Sequence, residues 1–292
     1  MLDWDDLRIF LAAARGRSFA TAGLKLGMDA TTVGRRVQRL EAALGATLFG
    51  RSPQGLHLTS AGARLLESSL DVETAVESMQ TVHTGVFGTV RMSASEGFGA
   101  HVLAPALPDL LQRRPDLTVE LVANSGVLSP SIREVDVAVT LNPPVSERLS
   151  VERLTDYELG LYAAAAYLDR AGRPTTRADL FDHPLIGYID DLIYAPELRY
   201  LAEVEPGLRP RASSSSIRAQ LAMIAAGAGV GILPRFMAEP GSGLERVLAD
   251  EVRLKRTFWV AVHQDLRATP RVRAVLEWMS ETASRNRDRL LG

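Results

Sequence analysis

The side chains best placed for chemistry are Thr31, Arg35, Gln38 and Arg39, which share one face of a helix. An apolar stripe of Val33, Val37, Leu40 and Leu44 has helical spacing and defines the opposite, buried face. Hydroxyl, amide and guanidinium groups displayed this way can read base edges or hold phosphate oxygens. Arg36 lies on a flank, where a plain surface charge is an equal reading. We expect DNA contacts from Ser18, Ala30, Thr31, Thr32, Gly34, Arg35, Gln38, Arg39 and Arg51. Arg51 suits either a phosphate or a hydrogen bond inside its own domain.

Other chemistries find little support. The chain has no cysteine, which excludes disulfides, thiolate metal sites and thiol nucleophiles. Its five histidines (57, 83, 101, 183 and 263) are scattered, without an i,i+4 pair or a carboxylate at metal spacing. Gly227, Gly229 and Gly231 have GxGxG spacing, not the GxGxxG of a dinucleotide loop, and they precede a strand-like run. They read as a helix-to-strand turn. We therefore expect no enzymatic activity, no metal and no cofactor.

The elements that must position this surface are short and well punctuated. Asp3 can cap a first helix that buries Trp4, Leu7, Phe10, Leu11 and Ala14, with Asp5 and Asp6 suiting its N-terminal dipole. Gly16 and Arg17 break that helix, Ser18 caps the second, and Gly27 ends it. Asp29 caps the third helix and Gly45 closes it. A hairpin follows, with strands at 47–51 and 56–58 around Ser52, Pro53, Gln54 and Gly55, and Thr59 caps a long helix. Charge separates the same way. Residues 1–66 carry a formal +4 and the remainder −6, a basic head on an acidic body within a chain of net −2.

With these pieces in order, the stretch resembles the winged helix-turn-helix of LysR-type transcriptional regulators. The resemblance rests on the corner Gly16, Arg17, Ser18, Phe19, on Leu40, Glu41, Leu44, Gly45, on Leu48, Phe49, Arg51, and on Leu58, Thr59, Ala61, Gly62. One departure lies at the opening of the third helix, Asp29, Ala30, Thr31, Thr32, Val33, Gly34. Gly34 replaces a family hydroxyl, at about 0.5–1 kcal/mol of helix propensity. It either admits close backbone approach to DNA or is tolerated because Val33 and Val37 anchor the helix.

The resemblance extends over nearly the whole chain. It implies an N-terminal all-α winged helix-turn-helix (1–59), a linker and dimerisation helix (60–86), and a C-terminal α/β effector domain (87–292). That last domain would hold two Rossmann-like subdomains similar to a periplasmic binding protein, at 87–161 with 264–292 and at 162–263. The residues agree. From 60 to 84 there is no proline, and heptads place Leu65, Val72 and Met79 at a, with Ser68, Ala75 and Val82 at d. Such a seam of small residues suits either a dimer interface or a linker packed on its own domain. Beyond Gly88, strand-like runs at 89–94, 118–123, 135–141, 158–163, 184–189, 230–233 and 258–263 alternate with helical stretches at 103–113, 217–226 and 271–285. That alternation argues for a mostly parallel sheet. The two subdomain crossings are expected at 161–164 and 258–263.

Effector contacts are expected at strand ends and helix starts, where unpaired N–H groups face a cleft. The candidates are Ser95, Glu96, Gly97, Asn124, Ser125, Tyr188, Ile189, Asp190, Ser213 and Ser214, with Ser215 beside them. The alternative for each is a helix cap or a turn, which is the commoner fate of Ser and Asn. The carboxylates of Glu96 and Asp190 weigh against a simple carboxylate effector and towards a polar or cationic one. The partners expected are double-stranded promoter DNA carrying an inverted repeat, a small-molecule effector of unknown identity, and a second copy of the chain in a dimer or tetramer. No apolar run is long enough to span a membrane, and the acidic start is unlike a secretory leader, so a cytoplasmic location is expected. A second reading is a small-molecule binding protein or enzyme whose helix-turn-helix serves dimerisation alone.

Overall fold

The structure is a computed structural model that describes residues 3–52, 55–79, 86–124, 130, 134–239 and 241–292. It divides into two compact units, Met1–Gly85 and Val86–Gly292.

In the first unit, α1 (Trp4–Gly16) opens on Asp3, whose carboxylate accepts from the Asp5 amide at 3.0 Å. It ends where Arg17 takes a left-handed φ of 47°. Ser18 caps α2 (Phe19–Leu26), and Gly27 terminates it at φ 66°. Asp29 caps α3 (Ala30–Leu44), and Gly45 terminates that helix at φ 64°. Val33 and Val37 bury against Ile9, Ala13 and Ala22. Leu40 buries instead against Phe10 and Leu48. The wing is the antiparallel pair β1 (Phe49–Ser52) and β2 (Gly55–Leu58), followed by α4 (Ser60–Met79).

Two side chains explain why the wing sits where it does. Glu41 Oε1 accepts from the amides of Leu48, at 2.6 Å, and Phe49, at 3.3 Å, which fixes the start of β1 to α3. The Thr59 hydroxyl donates to the Thr47 carbonyl at 2.6 Å and accepts from the Gly62 amide at 3.0 Å. Gly62 is required by proximity, because a Cβ there would stand 2.1 Å from the Leu48 carbonyl oxygen.

The second unit holds one mixed sheet. In chain order its elements are β3 (Gly88–Ser95), α5 (Glu96–Phe98), a π-turn at Gly99–Leu103, α6 (Ala104–Arg113), β4 (Leu117–Asn124), β5 (Val137–Thr140) and β6 (Leu149–Ala164). Then come α7 (Ala165–Ala171), β7 (Leu185–Gly187), α8 (Tyr200–Val204), β8 (Ala212–Ser213), α9 (Ile217–Ala225) and β9 (Val230–Pro234). The chain finishes with β10 (Leu244–Val247), β11 (Leu254–His263), α10 (Gln264–Arg267), α11 (Pro270–Arg285) and α12 (Arg287–Leu291). Spatially the strands run β4-β3-β5-β11-β6-β9-β7-β8, with β10 paired to β6.

The two ends of the sheet are parallel, β4-β3-β5 and β9-β7-β8, as βα alternation requires. The centre is antiparallel, so the sheet is mixed where a mostly parallel one was expected. The first crossing also starts earlier than expected. β6 pairs with β11 from Leu149 to Leu159, whereas Leu161–Ala164 pair with β9 and β10. The first half of β6 carries Ser150, Glu152, Arg153 and Thr155, which hide its strand character from an apolar count. The glycine segment behaves as expected, joining the end of α9 to β9.

Candidate functional site

On α3, Thr31, Arg35, Gln38 and Arg39 are exposed, but their engagements differ. Among the described residues, Arg35 and Gln38 have no protein hydrogen bond or ion pair and project as free donors. Thr32 is a capping partner: its amide and hydroxyl both donate to Asp29, each at 2.7 Å. Those bonds hold the Asp29 carboxyl below its ordinary range. Ser18 is also a cap, accepting from the amides of Ala20 and Thr21. Ala30 is exposed at the start of α3, and Arg51 lies in β1 opposite Leu56. Gly34 faces Phe19 of α2 rather than open space.

Arg36 and Arg39 belong to an acidic cluster at the start of α1. Asp6 is 3% exposed and receives Arg36 Nη1 at 2.9 Å and Arg39 Nε at 2.5 Å. Arg36 also bonds Asp5, and Arg39 Nη2 reaches Asp3 at 2.9 Å. The hydrogen bond to Asp6 raises the guanidinium pKa of Arg39 further. Arg36, read from sequence as a possible surface charge, is thus a clamp between α3 and α1. Arg39 is exposed yet tied to the same clamp.

In the second unit, a cavity forms between the turn after β3 and the region from β7 to β9. Its walls are Ser95, Glu96, Gly97 and Phe98 on one side and Tyr188, Tyr194, Leu198, Tyr200, Ser215 and Ile217 on the other. Tyr157, Phe236 and Phe258 close its floor, with Tyr157 and Phe258 stacked at 4.1 Å. The space reachable by water is about 30 Å³.

Glu96 joins the two sides. Its Oε1 accepts from the Ser216 hydroxyl at 2.9 Å, and its Oε2 accepts from the Ile217 amide at 3.0 Å. Ser216 caps α9, so the carboxylate lies at the positive end of that helix. Gly97 lets the turn come close, since a Cβ there would be 2.8 Å from Met237 Sδ and 3.5 Å from Ile217 Cγ2. Burial pushes the Tyr194 phenol up to about 12, with the nearby Glu96 charge adding to it. Burial raises Tyr188 as well, and Tyr157 and Tyr200 too, so all four rings stay protonated.

Of the residues expected at an effector site, the structure brings Ser95, Glu96, Gly97, Tyr188 and Ser215 together. Ile189, Asp190, Ser213 and Ser214 do not line the cavity. Asn124 ends β4, and its side chain is outside what the structure describes. Asp190 is largely exposed, 4.0 Å from Arg199, so only one of the two expected carboxylates faces the cavity. Ser214 holds the turn instead, donating its amide to Gly187 and accepting from the Ser216 amide. Ser125 lies outside the described residues. Sequence reasoning missed Tyr194 and Tyr200 because one lies between two three-residue turns and the other opens a five-residue helix, segments too short to show a period. It missed Ser216 because four consecutive serines gave no sign of which one caps α9.

Comparison with known proteins covers both units. Residues 4–63 match the bacterial regulatory helix-turn-helix protein, lysR family, and residues 83–284 match the LysR substrate binding domain. The chain is 27% identical to the Mau operon transcriptional activator of Paracoccus denitrificans, over 96% of both chains. It is similar in fold to CrgA, a LysR-type transcriptional regulator from Neisseria meningitidis, with TM-score 0.61 and 24% identity over 96% of this chain and 99% of that one. A full-length OxyR variant from Pseudomonas aeruginosa is similar in fold too, with TM-score 0.70 at 17% identity over 97% of each chain.

Proposed function

This chain belongs to the LysR family of transcriptional regulators, and from that premise we propose how it reads DNA and what controls the reading. The family consists of DNA-binding regulators and not of enzymes, so the reading of the helix-turn-helix as a mere dimerisation device falls away.

In our reading α3 enters the major groove of a promoter inverted repeat. Arg35 and Gln38 reach base edges, Thr31 and Ala30 approach the backbone at the positive end of the helix, and Arg51 on the wing meets phosphate. Ser18 and Thr32 shape the two helix starts, and Gly34 faces Phe19. Two chains pair through α4, as a two-fold operator demands, and pairs assemble further into tetramers. We assign the effector to the cavity beside Glu96, at the meeting of subdomains near 87–161 with 264–292 and 162–263. An occupant there touches both sides, so it favours one closure over another by its unequal affinity for the two. Such a regulator works beside the chromosome, in the cytoplasm.

The observation that carries the DNA reading is the pair Arg35 and Gln38, exposed and unpartnered among the described residues on an otherwise clamped helix. Fluorescence anisotropy tests it with DNA from upstream of the protein's own gene and with scrambled DNA, over a salt series. Preference for the upstream DNA, with affinity falling as salt rises, is expected. Equal affinity for both at every salt concentration would sink the proposed operator.

A further inference from the structure

We propose that the cavity beside Glu96 takes a small protonated amine, held between the Glu96 carboxylate and the tyrosine rings. This rests on reading the cavity as the effector site and goes beyond it by naming the ligand's class. Three observations carry it.

The first is charge. Glu96 is the single charged side chain among the described residues that line the cavity, and no Lys, Arg or His joins it. The guanidinium of Arg256 lies 5.8 Å from the Tyr200 ring centroid, but it is paired with Glu203 and does not line the cavity. An anionic ligand would therefore meet a like charge with no cationic side chain among the described lining residues to offset it.

The second is occupancy of the helix start. The amide of Ile217 and the hydroxyl of Ser216, which would greet an anion at the start of α9, already donate to Glu96. The chain supplies its own anion at that point. A carboxylate accepts about four hydrogen bonds, so Glu96 retains capacity for an ammonium donor.

The third is the wall. Tyr188, Tyr194 and Tyr200 line the same cavity as Glu96 with aromatic surface, which attracts cations through the ring quadrupole. Their phenols stay protonated, so the rings add no anionic charge. The water-reachable space of about 30 Å³ favours an amine of a few heavy atoms over a bulky quaternary ion. The ligand would bridge the β3 side to the α9 side, as Glu96 already does.

The test is calorimetric titration of the full chain with ethylammonium chloride, tetramethylammonium chloride and sodium acetate at matched ionic strength. Saturable binding of ethylammonium, weaker binding of tetramethylammonium and none of acetate is the expected result. Glu96→Gln should weaken ethylammonium by about tenfold or more while keeping an acceptor for Ser216. Tyr194→Phe should bind like the parent, and Tyr194→Leu more weakly, which separates ring electrostatics from a folding defect. Acetate binding without ethylammonium binding overturns the amine class and leaves the effector reading intact. Binding of neither overturns the proposal, and upstream-DNA anisotropy on the same sample shows whether the regulator reading survives.

Discussion

Arg35 and Arg36 are adjacent in sequence and opposite in use. Arg35 is exposed without a partner among the described residues, whereas Arg36 joins three carboxylates at the start of α1. Arg35→Ala should lower operator affinity by about 1–3 kcal/mol and leave thermal stability unchanged. If Arg35 reads a guanine, the loss falls on one operator position; a uniform loss over all sequences would make it a phosphate contact. Arg36→Ala should do the reverse and cost the head about 1.5–3 kcal/mol, because buried Asp6 loses a charged donor. Chemical denaturation of the two variants side by side distinguishes the roles, and a stability loss in Arg35→Ala would contradict the assignment.

At the scale of elements, α3 is held more firmly than its own propensity allows. A Cβ at Gly34 would meet Phe19 at 3.5 Å, an ordinary contact, so no clash requires a glycine there. Gly34→Ala should stabilise the head by about 0.5–1 kcal/mol in a melting experiment. If DNA affinity falls while stability rises, the glycine serves backbone approach to DNA. For α4, Leu65 is spent inside the head, packed with Leu66 against the cluster of Phe10, Leu40 and Leu48. Val72, one heptad later, is 42% exposed and open to a partner. Val72→Glu should shift the protein from dimer towards monomer in sedimentation analysis. An unchanged sedimentation coefficient would move the dimer contact away from that turn.

At the scale of the molecule, the two long strands β6 and β11 tie the body into one sheet, and Asp156 is buried at their seam. Burial alone would raise its carboxyl, but hydrogen bonds from Lys255, Thr257 and Arg153 prevail and hold it at about 2. The unfolded chain takes up this proton near the ordinary value of 3.8, so its stabilisation is complete above that value and is lost as pH falls towards 2. With Arg153 and Lys255 largely exposed, the contribution is about 1–2 kcal/mol. Unfolding free energies measured between about pH 5 and pH 2.5 should fall more steeply for the parent than for Asp156→Asn. Parallel curves would assign the acid lability to other carboxylates.

The sequence by itself determined the head and the kind of body that follows it. Ser18, Gly27, Asp29, Gly45 and Thr59 act on backbone groups a few residues away, and the stripe Val33, Val37, Leu40 repeats within one helix. Such interactions leave a local pattern that can be read directly. The tertiary structure alone decided which arginines are free, because the acids that claim Arg36 and Arg39 lie 30 to 36 residues away. It alone made Glu96 a bridge, since its donors Ser216 and Ile217 are 120 and 121 residues distant. The same holds for the antiparallel seam of β6 and β11 and for the tyrosine wall. Contacts between remote segments impose no period on either one, so they become visible only once the chain is folded.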